Sequence, residues 1–296
     1  VIERWRVADE GQRLDREISS KLECSRSRAR ELLEIGAVRV DERVVREKGL
    51  RLAAGQEVSV DEVPEALDRL AGSEAPLVVL GEGPGWVAVD KPAGLAVHPL
   101  RVSERDSLLQ RVFARYARVD GVGEGGLRSG VVHRLDVDTS GVQIFALDAP
   151  AFDRLREAFR RHRIEKVYRA LVKGTCPEHG SIELDLEVGR HRPARVRART
   201  AGSGGPASRL CPLRWVRREI LRDASLVEVR PSTGFLHQIR ASFAWLTHPL
   251  LGDAIYGDGR GAPRHMLHAS RLSFEEIEVE SPDAADFERV LRTLRA

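Results

Sequence analysis

The residues best suited to chemistry in this chain of 296 residues stand together in His133-Arg134-Leu135-Asp136-Val137-Asp138-Thr139-Ser140-Gly141, between two apolar strand-like runs. A loop held by a rigid sheet is where reactive groups are commonly presented. Asp136 is the candidate reactive carboxylate, able to attack an electrophilic carbon or to assist removal of a proton. The same residue types also suit an ordinary turn in which Asp and Ser oxygens cap backbone N–H groups. The string alone leaves both readings open.

Other chemistries find less support. Cys24, Cys176 and Cys211 are odd in number and widely spaced, with no C-x-x-C pair, so reduced thiols are expected and neither a disulfide framework nor a zinc site. The Gly-rich run Gly121 to Gly126 is fed by no clear strand, unlike the nucleotide loop of a methyltransferase-type domain. No run approaches the ~20 apolar residues that cross a bilayer, and Val1 to Glu10 mixes charged with apolar residues. A cytoplasmic protein without a membrane partner is expected. The hydrophobic content of 42% is that of a globular chain with a sizeable core.

The net charge of +3 averages over segments of opposite sign. Val188 to Arg218 holds nine Arg and no Asp or Glu, whereas Asp61 to Glu74 holds five acids against the single Arg69. Lys occurs only at 21, 48, 91, 166 and 173, so the basic charge is mostly guanidinium. Guanidinium suits two-point phosphate contacts and stacking on bases, and an acid-free Arg stretch points to an anionic partner.

The elements that must position these groups fall into two parts. Leu14, Ile18 and Leu22 have helical spacing, Ser25 and Ser27 are candidate caps for a helix through Leu33, and Gly36 stops it. Val38 and Val40 alternate as a strand, Asp41-Glu42 turns, and Val58 to Val60 closes the module. Leu14-Asp15, Ser25-Arg26-Ser27-Arg28-Ala29-Arg30, Gly36-Ala37-Val38-Arg39-Val40 and Leu52-Ala53-Ala54-Gly55-Gln56-Glu57-Val58 resemble the S4 RNA-binding domain. Arg26, Arg28 and Arg30, near a helix start, are its candidate phosphate contacts. The expected organisation is an S4-like module over 13–61, an acidic linker over 62–75 and a second domain over 76–296. In the second domain the runs Leu77–Leu80, Trp86–Val89, Val142–Leu147, Val167–Val172, Ile182–Leu186 and Leu226–Arg230 read as strands, with helices at Ala151–Arg161 and His237–Leu246. Their irregular alternation predicts an α+β fold, with a mixed, largely antiparallel sheet rather than a doubly wound one.

The string from His133 to Gly141 resembles the central motif of the RluA family of pseudouridine synthases. The resemblance continues in Asp90-Lys91-Pro92-Ala93-Gly94, Val97-His98-Pro99, Lys166-Val167-Tyr168-Arg169-Ala170-Leu171-Val172, Thr233-Gly234, His237-Gln238-Ile239-Arg240, Gly252-Asp253, Tyr256-Gly257, His268-Ala269 and Arg271-Leu272. It implies a cofactor-free, metal-free isomerase that converts uridine to pseudouridine in structured RNA: ribosomal RNA first, transfer RNA as the alternative. It implies that Asp136 is the catalytic carboxylate, Arg240 its charge partner and Tyr168 an aromatic against the target base. Arg134 would assist base flipping and Ile239 would wall the base, with His133 and Thr139 as further substrate-side residues. Where the family usually has Thr-Gly-Arg-Thr-His-Gln, this chain has Phe235 and Leu236 at the third and fourth positions, losing a basic and a hydroxyl side chain. A catalytically inactive S4-type RNA-binding protein is the rival reading, and a monomer is expected.

Overall fold

In a computed structural model of the chain, the described residues are 3–24, 26–61, 70, 72–100, 104–191 and 194–296. They form two compact units, one of residues 1–70 with 100–104 and one of residues 71–99 with 105–296. Most of the expected acidic linker (62–69 and 71), the candidate cap Ser25 and the Ser27 side chain lie outside the described residues.

The first unit runs β1 (Glu3–Arg6), α1 (Leu14–Lys21), α2 (Arg26–Ile35), β2 (Val38–Val40), β3 (Arg43–Val44) and β4 (Glu57–Val60). Its antiparallel sheet has the order β1-β4-β2-β3. Leu14 and Ile18 of α1, one helical turn apart, are buried with Ala29, Leu32 and Leu33 of α2 against Val38, Val40, Val58 and Val60. Gly36, at φ +79°, ends α2. Its N–H and that of Ala37 return to the carbonyls of Leu33 and Leu32, at 3.1 and 3.0 Å, and so satisfy the last turn.

The second unit is built on a ten-stranded sheet of order β10-β9-β11-β12-β8-β13-β7-β6-β5, with β14 also paired to β13. The strands are β5 (Val78–Gly83), β6 (Trp86–Lys91), β7 (Ser140–Ala146), β8 (Glu165–Lys173), β9 (His179–His191), β10 (Ala194–Thr200), β11 (Arg209–Leu221), β12 (Ala224–Pro231), β13 (Leu267–Phe274) and β14 (Ile277–Glu280). All pairings are antiparallel except β7 with β13, through His268 opposite Ser140 and Ala269 opposite Gly141. The mixed, mostly antiparallel sheet bears out the α+β expectation. Gly141 sits at φ +109°, where a Cβ would collide with the Ala269 carbonyl, so only glycine lets β7 approach β13 there.

Among the described residues four α-helices complete the unit: α3 (Leu108–Arg115), α4 (Ala149–Arg160), α5 (Gln238–Trp245) and α6 (Ala285–Arg295). Asp148 caps α4 by accepting the N–H of Ala151, and the helix buries Ala151, Leu155 and Ala158 in a cluster with Val142 and Ile144 of β7. Helix α5 packs Ile239 and Phe243 with Val227 and Val229 of β12, while its Ala241 joins Leu184, Leu186 and Val196 of β9 and β10. It begins one residue later than expected, because His237 is left-handed at φ +52°. Strands β10 and β11 were not expected: frequent Arg hides the alternation, visible in β10 as buried Val196 and half-buried Ala198 between exposed Arg195, Arg197 and Arg199. No helix among the described residues is long and apolar enough to cross a membrane.

Candidate active site

The loop carrying Asp136 enters β7 under tight restraint. Its turn closes through the Thr139 N–H to the Asp136 carbonyl at 3.1 Å. Lys91, fully buried at the end of β6, donates its Nζ to the carbonyls of Val137, Leu95 and Pro92 at 2.7, 2.7 and 2.9 Å. Burial pushes the Lys91 amine down to about 7, against the pull of nearby Asp138. Buried Arg264 takes the next carbonyl, that of Asp138, at 2.8 Å, and is itself gripped by Asp286 at 2.7 and 3.0 Å. Thr139 Oγ1 meets His265 Nε2 at 2.9 Å, and burial holds that imidazole down to about 4, so it stays neutral at neutral pH. Lys91, Arg264 and the Thr139 hydroxyl thus fix the three residues that follow Asp136.

Across the sheet, α5 brings Arg240 to the carboxylate. Nη1 of Arg240 donates to Oδ2 of Asp136 at 3.1 Å, while Nε and Nη2 donate to Oδ2 and Oδ1 of Asp253 at 2.7 and 2.9 Å. Asp253 is fully buried and also accepts the N–H groups of Ile255 and Tyr256 at 2.9 and 3.1 Å. Burial opposes ionisation of Asp253, but Arg240 and these N–H donors hold its carboxyl below the usual range. The guanidinium is therefore fixed before substrate arrives, with one arm presented to Asp136. Oδ1 of Asp136 accepts no hydrogen bond among the described residues.

Tyr168, Arg134, Thr139, Ile239 and Arg240 line one cavity of about 70 Å³ with Asp136. Tyr168 is half-buried in β8, and its phenol is pushed up by burial and by the negative charge of Asp136. Arg134 is exposed, with no ion-pair partner among the described residues, whereas Ile239 is buried and forms an apolar wall. Phe235 lines the same cavity, and both Phe235 and Leu236 pack on the cluster of Leu184, Leu186 and Ala241, so the two departures from the family pattern are apolar contacts here. His133 is not brought to this cavity. Its ring stacks on Phe159 at 4.5 Å between centroids, and its Nε2 accepts the Ile144 N–H at 3.1 Å. Burial holds this imidazole down to about 3.

Sequence reasoning passed over four residues of this site. Asp253 was visible only as half of a Gly-Asp pair, Arg264 and His265 carry no local signal, and Lys91 appeared only as part of a motif. His237, named within its motif, places Nε2 3.7 Å from Asp136 Oδ2, and its Nδ1 lies 3.0 Å from the Tyr256 hydroxyl. In the first unit, Arg26 and Arg30 both pair with fully buried Asp15, at 3.4 and 3.0 Å, and Arg28 pairs with Glu31 at 3.1 Å. Burial raises the Asp15 carboxyl, yet its bonds to Arg13, Arg30 and Arg26 hold it down to about 2. The Arg26 and Arg30 side chains remain 47% and 40% exposed while paired.

Among the described residues no group of three His, Cys, Asp or Glu side chains is arranged to hold a metal ion. Comparison with known proteins places both units in known families. Residues 85–245 match the RNA pseudouridylate synthase family, and residues 12–58 match the S4 domain. The chain is 31% identical to a ribosomal large subunit pseudouridine synthase D of Vibrio parahaemolyticus, over 96% of this chain and 91% of the relative. It is 35% identical to an uncharacterized RNA pseudouridine synthase of Mycobacterium bovis, over 96% and 95%. A human RNA pseudouridylate synthase domain-containing protein 4 shares the fold, with a TM-score of 0.60 and 21% identity over 74% of this chain and 93% of that one. The chain therefore belongs to the RNA pseudouridylate synthase family, as a member of its RluA branch with an N-terminal S4 domain, and is an RNA uridine isomerase.

Proposed function

We propose that this enzyme isomerises chosen uridines of large-subunit ribosomal RNA, with Asp136 as the catalytic carboxylate, Arg240 as its charge partner and Tyr168 against the target base. The observation that carries this reading is the shared guanidinium: Arg240 is anchored at two points by buried Asp253 and turns its third nitrogen to Asp136, 104 residues away in the chain. Asp136 stands at the cavity beside Tyr168, where a uracil has both a polar and an aromatic neighbour.

In the reaction the N1–C1′ bond breaks, the uracil turns, and a C5–C1′ bond forms; C5 loses a proton and N1 gains one, so no atom is lost overall. Asp136 serves as the nucleophile at C1′ or as the base that takes a sugar proton, and in either role it acts ionised. Burial and the Asp136 charge keep Tyr168 a neutral phenol, so its ring packs on the base and its hydroxyl passes a proton only by giving its own away. Arg134 at the rim supports extrusion of the uridine, an unstacking that costs ~a few kcal/mol and is offset by pocket contacts.

The ribosomal target rests on the name of the Vibrio relative, which modifies the large ribosomal subunit by that name. Transfer RNA is the alternative substrate. Mapping pseudouridines in ribosomal and transfer RNA from cells with and without the gene tests both. Loss of sites confined to transfer RNA would overturn the ribosomal assignment, and no lost site in either would overturn both.

A further inference from the structure

We propose that the groove between edge strand β10 and helix α5 is a second RNA subsite, holding a single-stranded nucleotide that flanks the target uridine, with its base stacked on Trp245. The proposal rests on the reading that the Asp136 cavity takes the target uridine.

The groove consists of two adjoining cavities of about 440 and 430 Å³, a size typical of ligand sites. The first is lined by Arg195, Arg197, Ala241, Trp245 and Tyr256, and the second by Arg197, Arg199 and Trp245 among others. Trp245 is 46% exposed, whereas Trp86 and Trp215 are buried at 8% and 6%. An indole left half in water at the end of a packed helix gives up apolar burial, and its π-face is available to a partner.

The walls specify the partner's charge. Arg195, Arg197 and Arg199 project at alternate positions of β10 and form no ion pair among the described residues. Other arginines of the acid-free stretch are already occupied: Arg218 is paired with Glu228, and Arg217 donates to the Cys176 carbonyl. A row of unpaired guanidinium groups beside an exposed aromatic ring is the arrangement that holds single-stranded nucleic acid, phosphates on the cations and a base on the ring. A duplex keeps its base faces stacked internally and offers Trp245 none.

Position relates the groove to the reaction. Ile239 and Arg240 of α5 line the Asp136 cavity, while Ala241 and Trp245, one turn apart, line the groove. A helix is ~10 Å across with its side chains, so a strand with one uridine in the cavity brings a near neighbour to Trp245. Tyr256 joins the two places, accepting the Val196 N–H of β10 at 2.7 Å and meeting His237 beside Asp136 at 3.0 Å.

The test uses the full chain and a 12-nucleotide oligouridylate at low salt, with binding followed by polarisation of a labelled oligonucleotide and, separately, by tryptophan fluorescence. Saturation should quench the wild-type fluorescence, and the quench should vanish in Trp245→Phe while binding persists. Trp245→Ala should weaken binding roughly 5- to 100-fold. Arg197→Ala and Arg199→Ala should each flatten the log–log salt dependence by about 0.7. Because none of these side chains is a core or ion-pair residue, unchanged circular dichroism is expected to accompany each loss. Binding without quenching and indifferent to all the variants would overturn the proposal and leave the groove to a partner other than RNA; failure of the oligonucleotide to bind would overturn it too. Pseudouridine formation in ribosomal RNA, measured independently, keeps the isomerase assignment apart from either outcome.

Discussion

Arg240 and Asp253 form a buried two-point ion pair, Nε to Oδ2 at 2.7 Å and Nη2 to Oδ1 at 2.9 Å, that leaves Nη1 directed at Asp136. Two nitrogens are spent on orientation so that the third has one direction. Asp253→Asn should therefore lower the turnover rate by disorienting Arg240, and should cost about 3 kcal/mol of stability, since half of a buried pair is then left without its countercharge. Denaturant unfolding and single-turnover kinetics on the same preparation check both parts. A variant with normal turnover would show that Asp136 does not depend on this anchor.

Arg240→Met removes the charge and keeps the apolar stem. The expected result is a severe loss of rate, on the order of 100-fold or more, because the proposed reacting carboxylate then lacks the cation that orients it, and charge in the transition state goes unstabilised. A purified Arg240→Met enzyme with ordinary activity across neutral pH would show that the pairing has no catalytic use.

Asp136→Asn keeps the side-chain volume and removes the carboxylate charge proposed to react. Isomerisation should be abolished, with the fold and RNA affinity nearly intact. Turnover at the wild-type rate would end the assignment of Asp136.

Tyr168→Phe keeps the ring and deletes only the hydroxyl. If the phenol relays the C5 proton, the variant should be at least about 100-fold slower with unchanged RNA affinity, the usual scale for a lost acid–base group. Single-turnover rates close to wild type would restrict Tyr168 to stacking.

Lys91 ties stability to pH in a definite direction. Its folded value is about 7 against an ordinary 10.5, so between these limits the unfolded chain holds a proton that the native chain has lost. The unfolded state then binds more protons, and stability rises with pH through that window; below about 7 both states are charged and the cost of burial is felt in full. Wild type should thus gain on Lys91→Met between pH 7 and 10, by at most about 1.4 kcal/mol per unit. Urea unfolding of both proteins at each pH measures the difference. A flat difference would show that the three carbonyls keep the ammonium charged throughout.

What the sequence determined by itself was local. The period of Leu14, Ile18 and Leu22 laid out α1, and Val167 to Val172 and Trp86 to Val89 fell within β8 and β6, because side-chain periodicity is written in neighbouring residues. The string from His133 to Gly141 marked Asp136 and pointed to the family for the same reason. The tertiary structure decided which distant groups meet. Arg240 reaches Asp136 across 104 residues, and Arg264 clamps the Asp138 carbonyl across 126, through side chains whose chemistry equally suits a surface. It also turned His133 from the cavity to Phe159 and Ile144, and paired Arg26 and Arg30 with Asp15. Motif spacing cannot encode such choices, because they depend on how α5, β7 and β13 stack in space, and that packing is set by the whole core at once.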